Sequence, residues 1–160
     1  MRVPKSLPSF ALAILLTLGA GLPGLRPSMA QSPTPQLYAL TEIKGGQSGH
    51  FFVNAMINSQ QIATLVDTGA SVVALSYEDA ERVGLHPRSL DFNVPVATAN
   101  GMAKAAHAQL SKVEIDNVRV NDVDALVMPQ GALSGTLLGM SFLSRLSSFK
   151  SENGTLTLKN

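Results

Sequence analysis

The chain has 160 residues, which is room for one domain with a real core and too little for two lobes. Its composition, 45% hydrophobic, 14% charged and 5% aromatic with 13 Gly and 9 Pro, suits a compact fold of strands and turns and excludes a disordered chain. Cysteine is absent, which excludes a disulfide framework, a Cys-ligated zinc site and a thiol nucleophile. His50, His86 and His107 lack the i, i+4 spacing that sets two imidazoles on one helical face, so neither a metal nor another cofactor is expected.

At the N-terminus Arg2 and Lys5 precede an apolar run from Phe10 to Leu18, followed by small residues ending in Ser28-Met29-Ala30. This is the order of an export signal over residues 1–30, with cleavage expected after Ala30. The alternative is an N-terminal membrane anchor through residues 10–25, although the run is short for the roughly 20 residues a span needs. Both readings deliver the domain outside the cytoplasm, periplasmic or secreted, with a membrane contact only if the segment is retained. Without residues 1–30 the net charge passes from +1 to −2, with 9 basic against 11 acidic side chains, and a nucleic-acid partner loses its electrostatic basis.

Residues 31–36, Gln-Ser-Pro-Thr-Pro-Gln, lack apolar side chains and read as a linker to a domain over residues 37–160. Segments 37–43, 50–57 and 61–66 are apolar-rich and bounded by Gly45-Gly46 and Asn58-Ser59, the pattern of a strand meander. A short helix follows, capped by Ser76, with Asp79 in its first turn and Gly84 at its end. Strands are expected over 92–99 and 102–109, joined through the turn dipeptide Asn100-Gly101, and again over 113–115 and 118–128. Thr136 to Leu146 reads as a second short helix, and Asn153-Gly154 turns into a closing strand, Thr155 to Leu158. No internal repeat supplies a second copy of any part.

The chemistry concentrates in Ala63-Thr64-Leu65-Val66-Asp67-Thr68-Gly69-Ala70-Ser71. An apolar strand holds a carboxylate rigidly where a like-charged neighbour forces the two to share one proton. Such a pair can polarise a water with one oxygen and protonate a leaving group with another. Gly69 permits a turn that a side chain would obstruct, and the Thr68 hydroxyl is suited to hold that turn from beneath.

These residues resemble the retropepsin-like aspartic proteases, in particular the exported bacterial single-lobe type. The resemblance spans about Phe51 to Leu158 and rests on three motifs in order: Asp67-Thr68-Gly69-Ala70, Thr98-Ala99-Asn100-Gly101, and Leu137-Leu138-Gly139-Met140-Ser141-Phe142-Leu143. It implies a mostly β fold, a single-lobe acid-protease barrel with one or two short helices. It implies that Asp67 is the catalytic aspartate, with Thr68, Gly69 and Ala70 supporting its loop. It also implies that Asn100, Gly101 and Met102 form a flap over the substrate, and that Leu138 and Gly139 brace the loop from behind.

No other aspartate is followed by Thr-Gly or Ser-Gly, so the second carboxylate must come from elsewhere. A homodimer that sets Asp67 against its own copy supplies it, and in the family the chain ends often give strands to the interface, a role that suits Thr155 to Leu158. The expected activity is aspartic-type endopeptidase hydrolysis of extended polypeptides. The alternative is a non-catalytic exported peptide-binding or scaffolding module with the same fold. Ala70 offers the carboxylate no hydroxyl, and a mildly acidic pH optimum is the expectation.

Overall fold

The computed structural model describes residues 38–98 and 101–160. The expected signal, the linker and Asn100 lie outside the described residues. The strands are β1 (Leu40–Lys44), β2 (Phe52–Ile57), β3 (Gln60–Val66), β4 (Val73–Leu75), β5 (Val94–Thr98), β6 (Gly101–Ile115), β7 (Val118–Val127), β8 (Thr136–Leu138), β9 (Ser148–Glu152) and β10 (Thr155–Lys159). Two short helices join them, α1 (Tyr77–Arg82) and α2 (Met140–Leu143), with a single 3₁₀ turn at Pro87–Ser89. The fold is mostly β, a single-lobe barrel of the expected kind.

Six strands form the barrel in the order β2, β3, β8, β4, β7, β6. It closes where Met56 and Ile57 of β2 pair with Glu114 and Val113 of β6. Inward residues alternate along each strand, so Ile57, Ile62, Leu75, Leu110, Val113 and Leu138 are all fully buried in one core. Burying each such side chain contributes about 1.5–3 kcal/mol.

Local chemistry sets the corners. Asn58 and Ser59 both take positive φ, 48° and 70°, which gives the tight twist that joins β2 to β3. The Asn58 side chain then accepts from the Ser111 hydroxyl at 2.9 Å, in the middle of β6. There Ser111 and Asp122 drop out of the β6–β7 register. The inward positions shift from Ala106, Ala108 and Leu110 to Val113 and Ile115 across this point, so one strand lines two walls of the barrel. The two sequence segments 102–109 and 113–115 are therefore a single bent strand.

Helix α1 begins as expected, with the Asp79 amide donating to the Ser76 hydroxyl at 3.1 Å. Gly84 follows its end with φ of +81°, a conformation that side chains disfavour.

Three expectations change. The stretch read as a helix from Thr136 to Leu146 opens as a strand instead. Thr136, Leu137 and Leu138 pair in parallel with Thr64, Leu65 and Val66, and only Met140 to Leu143 is α-helical. The long-range partner overrides a pattern that is locally ambiguous. The first three strands are no meander either, because β1 pairs with β10 and leaves β2 to β3.

That pairing also bears on the chain ends. A separate sheet has the order β1, β10, β9, so β10 is flanked on both sides within its own chain and has no free edge for a partner. Its inward residues Leu156 and Leu158 join the core, and the Asn160 side chain donates to the carbonyl of Arg119 at 2.6 Å. Strands β4 and β9 carried too little alternation to be read from sequence.

Candidate active site

Asp67 is the first residue after β3, half-buried where the strand leaves the barrel. Its backbone amide donates to the carbonyl of Leu138 at 3.1 Å, which extends the β3–β8 ladder by one bond. Its Oδ1 accepts the amide of Gly69 at 2.8 Å, so the side chain is fixed by its own turn. Its Oδ2 accepts no hydrogen bond from the described residues, and Asp67 joins none of their ion pairs. One oxygen is held and the other is presented.

The loop is clamped from behind. The Met140 amide donates to the carbonyl of Ala70 at 2.8 Å. Between these two bonds sits Gly139, where an added Cβ would lie 2.2 Å from the carbonyl oxygen of Val72 and 2.7 Å from that of Ala70. Only glycine allows this approach of backbone to backbone. A third tie comes from Ser141, whose hydroxyl accepts the Val73 amide at 2.9 Å and donates to the carbonyl of Asp124 at 2.6 Å. Leu138 is fully buried beneath them.

In front of Asp67 opens a groove of about 520 Å³. Ala70, Ala74, Leu126 and Leu137 line it on the barrel side, while Val96, Ala97 and Thr98 of β5 line the other. Asp67 is the single acidic side chain among the described lining residues. An apolar groove with one presented carboxylate suits an extended chain whose reacting bond is brought to that carboxylate.

Over residues 53–145 the chain matches the family described as gag-polyprotein putative aspartyl protease. The chain belongs to the retropepsin-like aspartic proteases. A retropepsin-like aspartic protease from Rickettsia conorii is similar in structure, with a TM-score of 0.69 and 35% identity over 76% of this chain and 91% of that one. EIAV protease, solved with an inhibitor, shares the fold at a TM-score of 0.52 and 18% identity, over 63% of this chain and 91% of that one. Among curated proteins, an uncharacterized protein in the cobV 5' region of Sinorhizobium sp is 44% identical over 113 residues, 71% of this chain and 48% of its own length. The uncharacterized protein RP867 of Rickettsia prowazekii is 39% identical over 110 residues, 69% of this chain and 47% of its own length. The chain thus spans about half the length of the curated relatives it matches.

Within this retropepsin-like chain, Asp67, Gly69, Ala70, Leu138 and Gly139 come together around one loop. Thr68 departs from its expected part. It is exposed and its hydroxyl makes no hydrogen bond among the described residues, so within one chain it does not hold the turn. The hairpin of β5 and β6 stands over the groove, but Thr98 pairs directly with Gly101, which places Gly101 in the returning strand with φ of +108°. The Thr98 hydroxyl donates to the Gly101 carbonyl at 2.8 Å and fastens the arms there. Met102 is 73% exposed and is not among the groove-lining residues, which come instead from the descending arm. Val96, Ala97 and Thr98 were missed as site residues, as was Ser141. A signal for the first three existed in the short apolar alternation before the turn, whereas nothing local marks Ser141.

Proposed function

We propose that the chain is an aspartic endopeptidase, hydrolysing peptide bonds of extended polypeptides at a site completed by a second copy of itself. The solitude of Asp67 carries this reading: the groove has one acidic lining residue among those described, and its Oδ2 is unengaged. Two such carboxylates facing each other across a two-fold axis share one proton. The ionised carboxylate takes a proton from a bound water as the water oxygen attacks the peptide carbonyl carbon. The protonated carboxyl hydrogen-bonds the carbonyl oxygen, and the amide nitrogen leaves with a proton when the C–N bond breaks. Thr68 would meet its own copy across the same axis, which gives its exposed hydroxyl a partner.

Membership of the family supports the chemistry, and the apolar groove beneath the β5 edge supports an extended main chain as substrate. Because β10 has no free edge, the pairing would rest on surfaces around the Asp67 loop and not on exchange of that strand. The charged, apolar and small-residue order of residues 1–30 supports action outside the cytoplasm, and N-terminal sequencing of exported protein tests cleavage after Ala30.

The deciding experiment is cleavage of a peptide library by the parent and by Asp67→Asn. The substituted chain should stay folded and lose turnover. Cleavage at the parental rate by the variant overturns the reading, and a folded parent that binds peptides without cutting any points to the non-catalytic binding module.

A further inference from the structure

A second groove, of about 460 Å³, lies on the far side of Leu133 and Leu137, which line the catalytic groove as well. Its other walls come from the β2–β3 hairpin and from α1. Phe52 stands on its rim with 64% of its surface exposed, the second most exposed large apolar side chain in the described residues. A solitary surface phenylalanine needs no explanation, but this one is part of a line.

The strand register shows the line. Phe52 is opposite Leu65, Leu65 is beside Leu137, Leu137 is beside Ala74, and Ala74 is beside Leu126. Residues in register on neighbouring strands share a face, so these five form one stripe on the outside of the barrel. The catalytic groove takes its Ala74, Leu126 and Leu137 end, and the second groove takes its Leu137, Leu65 and Phe52 end. The two grooves are halves of one apolar surface.

The charged wall of the second groove is internally neutralised. Arg82 pairs with Asp79 at 2.9 Å and donates to the carbonyl of Gln61 at 3.0 Å. The other oxygen of Asp79 accepts the Thr136 hydroxyl at 2.8 Å. No charge is left seeking an opposite charge, so the groove favours an apolar occupant.

Reach decides which occupant. Leu65 precedes Asp67 by two residues and Phe52 is one strand away, which places Phe52 on the order of 8 Å from Asp67 between Cα atoms. That is the span of about two to three residues of extended chain. We propose that the second groove is an auxiliary substrate site, in which Phe52 and Leu65 receive an apolar side chain of the same polypeptide, a few residues from the bond to be cut. The proposal rests on the endopeptidase reading for its choice of a polypeptide, but not for its choice of residues.

The test uses the full chain carrying Asp67→Asn, so that binding is read without turnover, and two fluorescent peptides with the same central segment. One carries Leu or Phe at the positions three to five residues from the centre, and the other carries Gly there. The apolar peptide should bind more tightly, and adding Phe52→Ala should erase that preference by weakening the apolar peptide on the order of tenfold. Phe52→Leu should retain most of it, and thermal unfolding of each variant checks the fold. Equal binding of the two peptides, no binding of either, or equal weakening of both by Phe52→Ala overturns the proposal. So does a change in sedimentation of Phe52→Ala with the preference intact, which assigns the rim to a second copy. A Phe52-dependent preference in a protein whose parent cuts nothing would uphold the auxiliary site and defeat the protease reading.

Discussion

Gly139 and Val72 are packed backbone against backbone, so closely that a methyl group on Gly139 would overlap the Val72 carbonyl at 2.2 Å. This contact fixes how far the Asp67 loop stands from β8. Gly139→Ala must therefore push the loop outward or unseat α2. The expected cost is about 3 kcal/mol, at the upper end for overpacking. Chemical denaturation measures it, and peptide turnover should fall further than the folded fraction does. An alanine variant of parental stability and activity would show that the contact is not the brace described above.

Ser141 offers a milder version of the same test. Its hydroxyl joins the Val73 amide to the Asp124 carbonyl, and no other group is at hand for either. Ser141→Ala should cost about 1–3 kcal/mol by leaving them unsatisfied. Ser141→Thr, which keeps the hydroxyl, should recover most of that. Denaturation midpoints of the pair check the order.

The three-stranded sheet predicts how folding responds to concentration. With β10 flanked inside its own chain, the protomer should unfold at a midpoint that does not move with protein concentration. Turnover per chain, in contrast, should climb as pairing of Asp67 becomes complete. A scan of both over two decades of concentration separates them, and a midpoint that rises together with activity would mean that folding itself needs the partner.

A pH effect is expected away from the groove. A hydrogen bond from Lys112 and the neighbouring Arg119 hold the Glu114 carboxyl below its ordinary value of 4.5. A carboxyl lowered by folding stabilises the fold above its unfolded pKa, and the contribution fades as pH falls through the folded value. Glu114→Gln should thus be slightly less stable than the parent at neutral pH, with the gap closing in acid. Being a surface triad, its contribution should also shrink in high salt. Thermal midpoints across pH measure both.

What could be read from sequence was whatever is decided within a few residues. Ser76, Asp79 and Gly84 announce α1 because a cap is a local bond, and Asn58-Ser59 announces its hairpin because positive φ is a local demand. The Asp67 loop was visible for the same reason. The strand at Thr136 to Leu138 was not, since three residues carry no period and their partner β3 is far off in sequence. Likewise nothing in β1 names β10 as its neighbour. The groove-lining face of β5 and the stripe ending at Phe52 depend on register across strands, which single-chain periodicity does not encode.

The closed sheet at the chain ends has a last consequence under the proposed pairing. An enzyme whose halves exchange strands is spoiled when it comes apart, because each half loses structure with its partner. Here separation would remove one carboxylate from the site and leave both cores intact. Dilution would then disarm the protease without damaging it, and crowding the same molecules together again would restore it without refolding.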